Sequence, residues 1–424
     1  MRRKITDFDQ DDDGHWRAVL ECGHRQHVRH DPPLTSRVWV LTAAGRATRL
    51  GLELDCRHCE SDAGTAIRYS MTKETSLPDN ILLRAAANLF PGYFALVMAT
   101  GIISIAAFLL EMRTVALLLL IVNALAYGIL LLLLLLRLTL FFSRVRSDIA
   151  DHVRGPGFFT VVAGTCVFGS QFAIVVGQLR IAAFLWFAGV LLWALIMYTF
   201  FTAMTIRESK PSIETGLNGA WLIAVVATQS VSVLGTLLVD FLDAYRAPLL
   251  FFTLCLFLTG CMLYLLLITL IFYRFTFVNF ESVTLTPPYW INMGAVAITT
   301  LAGARLILAA ASWSLLADIL PFLKGFTLFF WATGTWWIPL LFILGYWRHI
   351  YKRFPLRYDP QYWGMVFPLG MYTVCTFQLS KAINFSPLLV IPRYFIYLAL
   401  AGWLVAFAGL VHSFVFKSVV SARR

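Results

Sequence analysis

Apolar residues run in blocks of about twenty or more from residue 85 to the end, broken by short polar connections. Ten such blocks are long enough to cross a bilayer as helices. They lie at about 88–110, 115–141, 157–178, 181–206, 217–239, 247–272, 287–311, 325–347, 361–380 and 391–416. The connections after the first and third are very short (EMRT, QLR), and those after the second, fourth, sixth and eighth are longer and more basic. That alternation predicts an all-α membrane body built as five consecutive helical hairpins. The pattern also divides the chain: a polar module at 1–62, a linker at 63–84, the membrane body at 85–417 and a short tail at 418–424.

The blocks are of two kinds. Even-numbered ones, such as LLLLIVNALAYGILLLLLLLRL, are greasy throughout. Odd-numbered ones carry the small and polar residues, including Gly101, Gly164, Gln171, Gln229, Asn292 and Gly370. Small residues let helices approach closely, and polar side chains in hydrocarbon need a protein interior or a watery lumen. The simplest arrangement places five odd helices inside and five even helices outside, around a central pore. The named residues are then candidates to line it.

Composition agrees: 59% of the residues are hydrophobic and 13% charged, a balance foreign to water-soluble domains. The net charge of +11 does not indicate nucleic acid, because most basic residues sit in short loops, where they set topology. Arg144, Arg146, Arg154, Arg207, Arg274, Arg348 and Lys352 gather on the side that also holds both termini. The positive-inside rule makes that side cytoplasmic, in a cell inner membrane. No Asp or Glu falls in the middle of a span, and no nucleophile–base pair appears there, so an enzyme is not expected. Arg305 is the charged residue well inside an odd span, and a lone cation favours an anionic guest.

One odd span, YWGMVFPLGMYTVCTFQ (362–378), carries Pro368 in its middle, next to Phe367. Proline removes a helix hydrogen bond and clashes with the preceding turn, so a kink is expected there. FPGYFALVMATGIIS (90–104), GPGFFTVVAGTCVFGSQ and YWGMVFPLGMY resemble the first, third and ninth spans of the tellurite-resistance/C4-dicarboxylate transporter family, which includes the plant slow anion channels. The resemblance covers about 85–417. It implies a pore through each protomer of a homotrimer, closed near its middle by a phenylalanine beside the helix-breaking proline. Here that pair is Phe367 and Pro368. It further implies passage of chloride, nitrate, malate or other dicarboxylates, or sulfite. A proton-coupled dicarboxylate or sulfite carrier is the nearest alternative, and a membrane sensor is the alternative of another class.

The N-terminal module has its own chemistry. LECGHRQHVRHDPP and LDCRHCE place Cys22, His24, Cys56 and Cys59 at the spacing of two metal knuckles. Short β-like runs flank both halves, and a core this small gains from a structural metal. The expectation is a β-rich, zinc-ribbon-like cytoplasmic module binding one zinc. The segment resembles a small uncharacterised bacterial domain family, sometimes described as pressure-regulated, which says little about its function.

Overall fold

The structure, a computed structural model, describes residues 2–11, 16–28, 38–56, 80–279, 281–356 and 358–422. Two compact units divide at Asn80/Ile81. The linker expected at 63–84 and the tail expected at 418–424 lie largely outside the residues whose side chains are described.

The first unit is a four-stranded antiparallel sheet of β1 (Arg2–Gln10), β2 (Trp16–Leu20), β3 (Arg25–His27) and β4 (Glu53–Asp55), in the order β3-β2-β1-β4. Alternation along β2 turns Ala18 and Leu20 inward, against Ile5, Val28, Val40 and Cys56. A bulge between Ile5 and Asp7 interrupts the β1–β2 register.

The second unit is helical. After α1 (Ile81–Ala87) come α2 (Ala95–Leu109), α3 (Arg113–Leu140), α4 (Phe142–Ile149), α5 (Phe159–Gln171), α6 (Leu179–Ile206), α7 (Ile223–Leu237), α8 (Arg246–Phe277), α9 (Ile291–Leu308), α10 (Leu320–Tyr346), α11 (Trp363–Ala382) and α12 (Val390–Ala422). Among the described residues, nine helical segments are long and apolar enough to cross a membrane. Helix α11, at the ninth expected span, is not one of them. Its Tyr372, Thr373, Thr376, Gln378 and Ser380 dilute the apolar character that the other long helices have.

Helices α2, α5, α7, α9 and α11 form a closed ring, each packing on the next and α11 returning to α2. Each also packs against the long helix that follows it in the chain. Burial separates the two sets. The apolar windows of α2, α5, α7 and α9 are 72–89% buried, against 17–44% for α3, α6, α8, α10 and α12. All of α11 is buried except Met365, Phe377 and Lys381. The outer faces expose leucine and phenylalanine, such as Leu118, Leu125, Phe184 and Leu191. A helix set with such faces suits lipid rather than water.

Aromatic and amide groups of the flanking helices satisfy polar groups of the ring. Trp193 Nε1 donates to Thr228 Oγ1 (2.9 Å), Trp331 to Thr376 (3.0 Å) and Trp403 to Thr100 (2.9 Å). In a medium without water, a buried hydroxyl otherwise costs the helix its desolvation.

Candidate functional site

Every ring helix is entered through a 3-10 turn: Pro91–Phe94, Gly155–Phe158, Gly219–Leu222, Pro287–Trp290 and Pro360–Tyr362. Proline suits this place because its missing N–H is one the first helical turn leaves unbonded anyway. The five turns touch one another in a second closed ring. Glycine makes that approach possible. A Cβ on Gly157 would lie 2.8 Å from the Gly92 nitrogen, and one on Gly219 would lie 2.3 Å from the Pro288 oxygen. Arginines at or just past the ends of four flanking helices clamp the backbone just ahead of these turns. Arg137 donates to Leu89 O, Arg207 to Ala150 O (2.7 Å), Arg274 to Glu214 O (2.7 Å) and Arg348 to Leu285 O. Ahead of the fifth turn, Tyr358 packs on Gly409 and its hydroxyl accepts from Trp363 Nε1 at 3.2 Å. Burial pushes that phenol up to about 12.

Further along, all five ring helices line one narrow cavity of about 30 Å³, room for a water or two. Ile102, Ser170, Ser230, Ile298 and Met371 each contribute, one from every ring helix. The helices run in matching register. Ile102, Ser230 and Ile298 fall at the same distance past the ends of their entry turns, and Val167 and Met371 one residue later. The wall is mostly aliphatic. Its polar groups are Ser170, Ser230, Gln378 and Arg305, and Arg305 is the one charged group among the described lining residues. Arg305 makes no ion pair among the described residues, and its Nε is buried without a hydrogen-bond partner.

Phe367 is 1% exposed and stands one helical turn before Met371, on the face that continues through Val374 and Gln378 into the cavity. The same step back on the other helices reaches Met98, Ala163, Val226 and Gly294, mostly small side chains. Pro368 sits inside a helix that is continuous from Trp363 to Ala382. Its ring nests on α9 at Gly294, where a Cβ would come within 2.7 Å of Pro368 Cγ. Gly370 lets α11 meet Ile102 and Ile103 of α2 in the same way, with a Cβ blocked at 2.7 Å.

The remaining residues expected at the lumen lie outside the cavity lining, several with partners on neighbouring helices. Gln171 Oε1 accepts from Asn123 Nδ2 of α3 at 2.8 Å, and Gln229 Nε2 donates to Phe257 O of α8 at 3.0 Å. Gly101 faces Val167 and Asn123, and Gly164 faces Phe94. Asn292 is fully buried, and its backbone oxygen accepts from Tyr264 of α8. None of these lines the cavity, whereas Arg305 does. Ser170, Ser230 and Gln378 are lining polar residues outside the expected set, and Gln378 falls one face-repeat beyond Val374.

In the N-terminal unit, a tight turn after β2, with Gly23 at φ 79°, brings Cys22 and His24 to Cys56 at the end of β4. The Cys22 Sγ–Cys56 Sγ and Cys56 Sγ–His24 Nδ1 separations are both 3.7 Å, and the three ligand atoms lie within 4.8 Å of one another. Tetrahedral sulfur ligands around a zinc at its usual bond length stand about 3.8 Å apart, so the donor set fits that metal. Cys59, the fourth expected ligand, lies outside the described residues.

Both parts of the chain are similar to known proteins. Residues 6–63 match a family described as a protein of unknown function (DUF3565). An uncharacterised membrane protein of Mycobacterium tuberculosis is 38% identical over 151 residues, 35% of this chain and 76% of the relative. Two uncharacterised transporters of Methanocaldococcus jannaschii are 24% and 23% identical over 308 residues, 70% of this chain and 86% and 87% of their own lengths. Residues 88–411 match the family described as voltage-dependent anion channel, and the chain belongs to that family.

Proposed function

We propose that the helical body is a channel-like pathway for small anions, through a lumen bounded by the five ring helices and closed by Phe367. Family membership supports anion transport across a membrane. One observation carries the reading to this chain: a cavity shared by all five ring helices, with Arg305 as its charged lining group and no carboxylate among the described lining residues. A cation beside hydroxyl and amide donors attracts an anion, and aliphatic walls with an aromatic plug block it while the lumen is narrow.

In this reading all ten long helices span the membrane as five hairpins. Helix α11 is included because it completes the ring, and burial between α2, α9 and α12 compensates for its polar content. The protein sits in the cell inner membrane with both termini cytoplasmic, following the basic side of the loops. It assembles as a homotrimer, as the family resemblance implies. Cys22, His24 and Cys56, with Cys59, hold a structural zinc that ties the two ends of the small sheet together.

The test is flux from proteoliposomes loaded in turn with chloride, nitrate, malate and sulfite. Anion efflux that is lowered by Arg305→Gln is the expected result. Absence of flux for every anion, with correctly inserted protein, leaves the sensor reading instead. Uptake that follows an imposed pH gradient replaces the channel with the proton-coupled carrier.

A further inference from the structure

At the end of the bundle where the ring helices begin, three arginines and one carboxylate line a common basin. Arg137 of α3 donates to Asp148 Oδ2 at 2.5 Å, and Arg154 Nε donates to Asp148 Oδ1 at 2.7 Å. Arg144 of α4 contacts neutral acceptors, Ala87 O at 3.2 Å and Asn88 Oδ1 at 3.3 Å. The single carboxylate therefore leaves an excess of positive charge. Arg137 is 2% exposed, and its Nε is buried with no hydrogen-bond partner among the described residues. These groups, with Ser147, line an open basin of about 270 Å³.

The position of the basin matters as much as its charge. It lies at the end of the long apolar helix α3, beside Leu140 and Phe142, which are 57% and 62% exposed. Lipid-facing residues thus give way to guanidinium groups within one or two turns, the depth at which phospholipid headgroups lie. A phosphodiester offers the acceptor oxygens and the negative charge that these donors lack, and arginine pairs with phosphate through two parallel hydrogen bonds.

We propose that this basin binds the phosphate of an anionic phospholipid. Arg144 and Arg154 reach the phosphate oxygens, while Asp148 keeps Arg137 and Arg154 in place. Arg137 and Arg144 also hold Leu89, Ala87 and Asn88, the segment leading to Pro91, so an occupied basin stiffens the entry to α2. The proposal does not depend on which solute the lumen carries.

The experiment uses the purified full-length protein in detergent, with phosphatidylglycerol or phosphatidylcholine added and retained lipid measured by native mass spectrometry. Wild-type protein is expected to retain phosphatidylglycerol preferentially and to gain thermal stability from it. Arg144→Gln leaves Asp148 paired and is expected to lower that retention about fivefold. Arg154→Gln serves as the second variant, and Arg393→Gln, on the opposite end of α12's bundle, as a control that keeps wild-type retention. Equal retention of the two lipids by wild-type protein overturns the proposal. So does unchanged retention in both basin variants. Inorganic phosphate that stabilises the protein as well as the lipid does would make this a site for soluble anions and overturn the lipid assignment.

Discussion

Replacing Phe367 by alanine tests the plug directly. The ring is 1% exposed, so its removal empties a full aromatic side chain from the centre of the bundle. In a dry core such a change costs about 3–5 kcal/mol. At a lumen the outcome differs, because water can enter the space from the cavity one turn away at Met371. The stability cost then falls short of that range while the barrier to ions drops. Dehydrating an anion against an apolar ring costs several kcal/mol. Recovering about 3 kcal/mol of that cost raises flux roughly a hundredfold. Phe367→Leu, which keeps most of the apolar bulk, is expected to give a smaller rise. The assay pairs nitrate and chloride efflux from proteoliposomes with thermal unfolding in detergent. A variant that unfolds several kcal/mol more easily but conducts like wild type would show that Phe367 is an ordinary core aromatic, and the gate would have to be sought elsewhere.

Other positions give sharp expectations. Gly219→Ala drives a Cβ to 2.3 Å from the Pro288 oxygen and is expected to cost about 1–3 kcal/mol by thermal unfolding. Gly128→Ala on α3, where nothing lies within 4 Å of a new Cβ, is the matched control, and equal Tm values for the two would contradict the close-packed ring of turns. Elemental analysis of the full chain should find about one zinc per chain, lost in Cys56→Ser; a metal-free wild-type protein with a folded N-terminal sheet would remove the zinc assignment. His152, in the loop before α5, has its pKa lowered from 6.5, chiefly by burial and further by Arg207 and Lys210, with Asp151 opposing. The unfolded chain takes up that proton more readily, so the contribution is fully present above about pH 6.5 and is lost as pH falls through the lower folded-state value. His152→Gln should flatten the fall in Tm on acidification, and an unchanged profile would count against His152 as its source.

How much of this was readable beforehand depended on which physical signal carried it. Inner and outer helices were separable because lipid-facing helices tolerate runs such as LLLLLLL (130–136), whereas ring helices need glycine at their crossings. Lumen positions were not. A helix buried all round has no apolar stripe to mark its faces, so Gln171 and Gln229 looked like lumen groups. They are instead spent on Asn123 and Phe257 of the flanking helices. Arg305 was recognisable because a buried cation is costly enough to need a reason. The fivefold repeat of entry turns was present as PGYF, GPGF, NGAW, PPYW and PQYW, but uneven spacing and variable residues hid its period. The cluster of Cys22, His24 and Cys56 was legible because cysteine and histidine at knuckle spacing mark candidate metal ligands without knowledge of packing.

The lateral use of polar groups has a consequence for the lumen. Thr100, Gln171, Thr228 and Thr376 of the ring helices bond tryptophan and amide partners on the flanking helices, and the inward faces are left mostly to isoleucine, valine, leucine and methionine. An aliphatic passage this narrow holds back ions by failing to hydrate them, whatever their sign. Charge preference then has to come from another level. In the proposed pathway Arg305 and Gln378 would supply it, and Gln378 lies about 16 Å along α11 from Phe367 at the helical rise per residue. The proposed function therefore puts width and sign at separate depths of one lumen. The arginine clamps ahead of four of the entry turns hold those ring helices in register at their starts, so under the proposed function a change of width around Phe367 would leave Arg305 in place.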